Sequence, residues 1–97
     1  MFERQPRHTK IEKEIATSLG AVVLENPVGY ARGESNLYCI SDDGKIVWFA
    51  ELPGDGVLYS RVRFDDQGEK LLTYSVRSHA CEIDLKTGKL LSKISIS

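Results

Sequence analysis

The residues that could carry catalysis or hold a metal are few and scattered in this sequence. The two histidines, His8 and His79, and the two cysteines, Cys39 and Cys81, show neither CxxC nor paired-histidine spacing, which a zinc site would need. No Ser, His and Asp residues stand at motif spacing, and no glycine-rich phosphate loop is present. We therefore predict no catalytic residue, no metal site and no cofactor.

Two pairs of aspartates, at 42–43 and at 65–66, could suggest cation binding. Each pair leads into a glycine turn, where an aspartate side chain caps its own backbone. We interpret both pairs as turn residues.

Two groups of polar residues could instead bind a partner or a ligand. Tyr59, Arg61 and Arg63 alternate along one stretch and could stack on bases or bind an acidic partner, although charges that protect an exposed strand face give the same pattern. The longest loop, "ENPVGYARGES", offers Tyr30, Arg32 and Glu34 as the polar groups of a pocket near residues 26–35.

Composition places the chain among ordinary globular domains. It has 97 residues, 41% hydrophobic and 28% charged, with a net charge of −1, enough for one domain with its own core. A sequence pI near 6.1 argues against nucleic-acid binding. No apolar run approaches the ~18 residues of a membrane span, and the start "MFERQPRHTK" has no apolar stretch behind it. We expect a cytoplasmic protein with no membrane contact, reduced buried thiols and a flexible tail over residues 1–9.

Turn residues recur at short intervals and predict an all-β fold. Glycines, Asp-Gly and Pro-Gly pairs separate short runs rich in Val, Ile, Tyr and Leu, the pattern of antiparallel strands. The predicted strands cover residues 10–17, 20–25, 36–41, 45–51, 57–64, 69–76, 79–84 and 89–96.

The N-terminal segment 10–19 is ambiguous. Thr9 with Glu12 forms a capping-box pattern, and Ile11, Ile15 and Leu19 follow helical spacing. A helix here would make the protein α+β. We favour a strand because the equivalent segment of the second half, "LYSRVRF", alternates as a strand.

The two halves of the chain repeat each other. "YCIS" followed by "DDGKIVW" matches "CEID" followed by "LKTGKLLS", and "LPGDG" separates the halves. Each unit, residues 10–51 and 57–96, has four predicted strands in a little over 40 residues, the size of one β-propeller blade. The sequence predicts one β domain built from two blade-like meanders.

The hairpins "DDGKIVW" and "DLKTGKLL" resemble the closing hairpins of blades in propellers of the quinoprotein or WD type. The chain as a whole resembles a group of small uncharacterised bacterial proteins of about a hundred residues, some carried on mobile gene cassettes. The resemblance covers roughly residues 10–96 and implies a fold without an activity.

Turn lengths predict which side chains point into the core. A three-residue loop at 42–44 pairs Ile40 with Ile46 and Tyr38 with Trp48, so Trp48 faces inward. In the second half, a three-residue loop at 66–68, with Gly68 left-handed, pairs Phe64 with Lys70. With a two-residue turn at 77–78 and a four-residue loop after Asp84, the predicted inward set is Leu58, Ser60, Val62, Phe64, Leu72, Tyr74, Val76, His79, Cys81, Ile83, Leu90, Ser92, Ile94 and Ile96.

The same register leaves a second apolar face on the first unit. Leu37, Cys39, Val47 and Phe49 would point away from the core, and a sheet that is apolar on both faces needs cover on both. The first half carries a net charge of −3 and the second +2. We therefore expect a homodimer through this candidate interface.

Two classes of function follow. The first is a non-enzymatic β module that binds protein as an accessory or immunity-type partner. The second is a small-ligand binder or a cryptic enzyme with its pocket near loop 26–35.

Overall fold

The computed structural model describes residues 5–96 as eight antiparallel strands without a helix. Their bounds are β1 (Ile11–Thr17), β2 (Gly20–Glu25), β3 (Leu37–Ile40), β4 (Ile46–Phe49), β5 (Tyr59–Phe64), β6 (Lys70–Ser75), β7 (His79–Asp84) and β8 (Leu90–Ser95). Strands β1–β4 form the first sheet and β5–β8 the second, each in chain order. The all-β prediction is confirmed, and the ambiguous segment is strand β1.

The two sheets pack face to face around one apolar core. We call the face that each sheet turns to the other its inner face and the opposite one its outer face. The buried core residues are Val22, Leu24, Leu37, Cys39, Trp48, Ala50, Tyr59, Val62, Leu71, Cys81 and Ile83. Both sheets contribute to this list, so each sheet covers the other's apolar inner face.

Polar contacts also join the two sheets. The buried amide of Asn36 donates to the backbone oxygens of Glu25 (2.7 Å) and Tyr59 (2.7 Å) and accepts from the Tyr59 N–H (2.9 Å). Lys93 Nζ donates to the Pro53 carbonyl at 2.8 Å. The first contacts join the two units, and the last holds the linker between them against the second unit.

The hairpin β3–β4 has the predicted loop but a different register beyond it. The Ser41 N–H donates to Lys45 O across the three-residue loop, and Ile40 pairs with Ile46. A bulge then makes Cys39 the partner of Trp48, so the predicted pairing of Tyr38 with Trp48 is wrong. Trp48 still faces the core, because Cys39 and Leu37 are the inward residues of β3.

The bulge in the β3–β4 hairpin of the first unit has a counterpart in the second unit. Strands β7 and β8 have a bulge between the pairs Ile83–Leu90 and Glu82–Ser92, which leaves Leu91 as the extra residue, as Val47 is in β4. Both bulged side chains are exposed. The two units therefore share a backbone irregularity as well as a strand order, although bulges carry no simple sequence mark.

Two connections in the second sheet are one residue longer than predicted. Asp65 pairs with Lys70 across a four-residue loop, so Phe64 pairs with Leu71 and not with Lys70. The turn between β6 and β7 has three residues, 76–78, and ends with Ser78 in the left-handed region at φ 64°. Gly68 is left-handed, as predicted.

Because both connections are longer, the β6 residues predicted to face the core face outward and those predicted outward face the core. The two faces of β7 are as predicted. One added residue turns a strand over, and the second added residue turns the next strand back. Thr73 and Ser75 are therefore buried, and Tyr74 and Val76, which were predicted inward, are exposed. Bulges also bring Tyr59 inward and turn Ile94 outward.

Both cysteines lie in the core as free thiols. Cys39 and Cys81 are 0% and 3% exposed. Burial raises the pKa of each thiol, because the thiolate loses its hydration.

Candidate functional site

The candidate loop pocket does not bring its three polar residues together. A cavity of about 600 Å³ adjoins the loop and is lined by Glu34, but not by Tyr30 or Arg32. The Glu34 carboxylate contacts Arg7 Nη2 at 3.0 Å and His8 Nε2 at 3.2 Å. Arg7 and then His8 hold the pKa of Glu34 below its usual value. The carboxylate of this loop is therefore engaged by contacts within the chain.

Residues 7–9, here called the N-terminal strap, are fixed by a buried carboxylate. Glu25 is 0% exposed and accepts the backbone N–H groups of Arg7 (2.7 Å), His8 (3.0 Å) and Thr9 (2.9 Å). The Tyr38 hydroxyl also donates to it at 2.6 Å. Residues 7–9 of the segment predicted as a flexible tail therefore make defined contacts with the first sheet, while residues 1–4 of that prediction lie outside the described part of the chain.

The strap covers part of the outer face of the first sheet. The Arg7 guanidinium carbon lies 5.0 Å from the Phe49 ring centre and 6.0 Å from that of Tyr38, within the range of cation–π attraction. Tyr38 is only 1% exposed. The outer face of this sheet therefore carries Tyr38 and Phe49 and not the four residues predicted for it, and the strap covers part of it from within the chain.

The strap contact makes stability depend on pH. Burial raises the pKa of Glu25, but the Tyr38 hydroxyl and three backbone N–H groups outweigh it, so the pKa is lower than in the unfolded chain. The stabilising contribution is therefore complete above the unfolded value of 4.5 and is lost as pH falls through the folded value. We expect Glu25→Gln to lower the free energy of unfolding at pH 7 by about 1.5–3 kcal/mol.

Urea titrations between about pH 3 and pH 7 test this expectation. The wild type should lose more stability on acidification than Glu25→Gln. The exposed loop carboxylate of Glu69 provides the control, and Glu69→Gln should follow the wild-type curve. Parallel curves for wild type and Glu25→Gln would show that the carboxylate does not hold the strap.

The candidate interface is divided between the core and the surface. Leu37 and Cys39 are both fully buried between the sheets, whereas Val47 and Phe49 are 42% and 41% exposed. The bulge at Val47 separates residues that simple alternation would put on one face. The four residues therefore form no common surface.

The candidate polar face is also divided. Tyr59 is 0% exposed and belongs to the core, because the bulge before Arg61 turns it inward. Arg61 and Arg63 are exposed and line a groove of about 580 Å³ with Leu72 and Tyr74. Glu12 and Lys13 of β1 line the same groove, so these arginines lie between charged residues of the first sheet and apolar side chains of β6.

A further surface, which the sequence did not predict, lies on the second sheet. We call it the open face: the outer face of the second sheet, with Arg61, Arg63, Leu72, Tyr74, Ala80, Glu82, Ser92 and Ile94. Tyr74 and Ile94 are 43% and 65% exposed, and Val76 and Ile96 extend the exposed apolar row along the same two strands.

The distribution of apolar residues on β6 is inverted. Its buried residues are Leu71, Thr73 and Ser75, whereas Leu72 and Tyr74 face outward. A solvated strand normally places its more polar side chains in water. The open face therefore carries apolar side chains on a strand whose inner face is partly polar.

No group of three or more His, Cys, Asp or Glu residues that could hold a metal is found among residues 5–96. His79 is half-buried, and its Nδ1 lies 3.0 Å from Ser75 Oγ at the β6–β7 turn. The same hydroxyl accepts the N–H groups of Arg77 and His79. In this position His79 stabilises a turn.

The fold defines a class: a small all-β protein made of two stacked four-stranded antiparallel meanders. Residues 8–94 match the family described as a domain of unknown function, DUF7957, and the chain belongs to that family. No curated protein and no solved structure matches it. Within the described residues, no helix is long and apolar enough to cross a membrane.

Proposed function

We propose that this protein is a non-enzymatic protein-binding module that docks its partner on the open face. The observation that carries the proposal is the inversion on β6, whose exposed Tyr74 and half-buried Leu72 are more apolar than the buried Thr73 and Ser75. Burying such side chains contributes about 25 cal/mol per Å² of apolar surface. Strand β6 would gain this stabilisation by burying its outward apolar side chains against a partner.

The margins of the open face support a protein partner. Arg61 and Arg63 border its apolar centre, and Glu82 lies within it, 3.7 Å from Lys70 and 3.1 Å from the Ser92 hydroxyl. An apolar centre with charged groups near the edge is the usual arrangement of a protein interface. The alternative of a ligand pocket near loop 26–35 has weaker support, because Glu34 is engaged by Arg7 and His8.

Site-specific photo-crosslinking in the native cells tests the proposal. The photoreactive residue p-benzoylphenylalanine replaces Tyr74 on the open face, or Val28 in the loop, which is 82% exposed. We expect a discrete crosslinked protein from position 74 and none from position 28.

The comparison between the two positions decides the result. A yield at position 74 no higher than at position 28 would overturn the proposal, because Val28 is the more exposed residue. The mass of a product found only at position 74 identifies the partner.

A further inference from the structure

We propose that the partner on the open face is a second copy of this chain, related by a two-fold axis that runs parallel to the strands between β6 and β7. This inference rests on the proposed function above. It is carried by two rows of side chains that this axis would bring face to face with the same rows of the partner.

The first row contains large and small residues in complementary positions. Across the sheet it reads Arg61, Tyr74, Ala80, Ile94. The axis places β5 over the partner's β8 and β6 over the partner's β7. Tyr74 then lies over the partner's Ala80, so a large ring meets a methyl group in both symmetry-related contacts. The aliphatic stem of Arg61 lies over the partner's Ile94, leaving the guanidinium at the edge.

The second row distinguishes this axis from a perpendicular one by the position of its arginine. It reads Arg63, Leu72, Glu82, Ser92. The same operation sets Leu72 over the partner's Glu82, whose carboxylate keeps Lys70 (3.7 Å) and the Ser92 hydroxyl (3.1 Å) as partners within its own chain. It also brings the partner's Arg63 over Ser92, one strand spacing of about 4.8 Å from Glu82. A two-fold axis perpendicular to the strands would instead place β5 over the partner's β5 and set arginines against each other.

The size of the face predicts a weak dimer. Four strands about 4.8 Å apart and six residues of about 3.3 Å each span roughly 19 by 20 Å. Each copy therefore contributes roughly 400 Å², and the total of about 800 Å² lies in the range of weak, transient interfaces. We expect a dissociation constant of about 1–50 µM.

Sedimentation equilibrium of the full chain from about 1 to about 500 µM tests self-association. We expect a reversible monomer–dimer equilibrium in the wild type. Ile94→Lys should weaken it at least about 10-fold, because the ammonium would be buried at the interface. The control is Leu91→Lys on the same strand: Leu91 is similarly exposed, at 51% against 65% for Ile94, but lies at the bulge. Leu91→Lys should dimerise like the wild type. Circular dichroism verifies the fold of both variants.

A charge exchange tests the symmetry. Arg63→Glu and Glu82→Lys should each weaken the dimer about 5–10-fold, and the double variant should restore affinity to within about 2-fold of the wild type. Failure of the double variant to recover would overturn the two-fold register.

Two results would overturn the second copy as the partner. One is a wild type that stays monomeric at the highest concentration, and the other is Ile94→Lys dimerising as well as Leu91→Lys. A crosslink from position 74 to a different protein, together with a monomeric wild type, would leave the proposed function standing while this inference fails.

Discussion

We expect Trp48→Ala to lower the free energy of unfolding by about 3–5 kcal/mol, the usual loss for truncating a large core aromatic. Trp48 is 7% exposed, and its indole N–H donates to the Leu85 carbonyl of the second sheet at 2.9 Å. Its ring also packs on Gly88, where an added Cβ would lie 2.6 Å from Cε3. Alanine would remove contacts that hold the β7–β8 turn against the first sheet.

Urea unfolding followed by far-ultraviolet circular dichroism measures this effect, since the variant lacks the chain's single tryptophan. Val47→Ala is the control, because Val47 is adjacent in sequence but 42% exposed, and it should lose less than about 1 kcal/mol. In the wild type, the tryptophan emission should be blue-shifted and protected from quenchers. A Trp48→Ala effect as small as that of Val47→Ala would place the indole outside the core.

The second large effect is expected at Gly20, at the start of β2. Its φ of +138° lies in a region that side chains rarely adopt, and a Cβ there would lie 2.1 Å from the Ile40 carbonyl oxygen of β3. Because that neighbour is backbone, it cannot move without breaking the β2–β3 ladder. We expect Gly20→Ala to lower the free energy of unfolding by about 4 kcal/mol.

A substitution at Gly44 separates the effect of the steric clash on stability from the effect of the strained backbone angle. Gly44 has φ +86° and no atom within 4 Å of an added Cβ, so Gly44→Ala should lose only about 1–2 kcal/mol. Chemical denaturation compares the two variants, and hydrogen exchange should show faster exchange in β2 and β3 of Gly20→Ala alone. Equal losses for the two would mean that the close approach of β2 and β3 is wrong.

The number and order of the strands could be predicted because turns carry strong local signals. Asp42, Asp43 and Gly44 specify a three-residue loop, and the structure has that loop. The matching hairpins of the two halves also predicted two four-stranded units. Turn chemistry depends on a few adjacent residues, so one sequence is enough to read it.

The faces of the second sheet could not be predicted, because they depend on counting residues without error. One residue more in the loop before β6 and one more after it reverse that strand alone. Hydrophobicity could not correct the error, since Leu72, Tyr74 and Val76 look more core-like than Leu71, Thr73 and Ser75. The outward position of Leu72, Tyr74 and Val76, which the prediction missed, is also the feature that identifies the open face.

The N-terminal strap shows a different limit of prediction from the sequence. Glu25 is the last residue of β2 and looks like an ordinary surface carboxylate in the sequence. Its role depends on backbone N–H groups 16–18 residues earlier in the chain. Contacts of that kind leave no spacing pattern, because any residue can supply a backbone N–H group.

Hydroxyl-radical footprinting of the full chain, followed by mass spectrometry, tests the central claim that one outer face is covered within the chain and the other is a docking surface. Tyr38 and Tyr74 lie on the outer faces of the first and second sheets and are 1% and 43% exposed. At low concentration, we expect rapid oxidation of Tyr74 and little of Tyr38. At high concentration, or with the crosslinked partner added, Tyr74 should become protected several-fold while Val28 stays reactive. Equal oxidation of the two tyrosines, or a Tyr74 that stays reactive under every condition, would contradict the account.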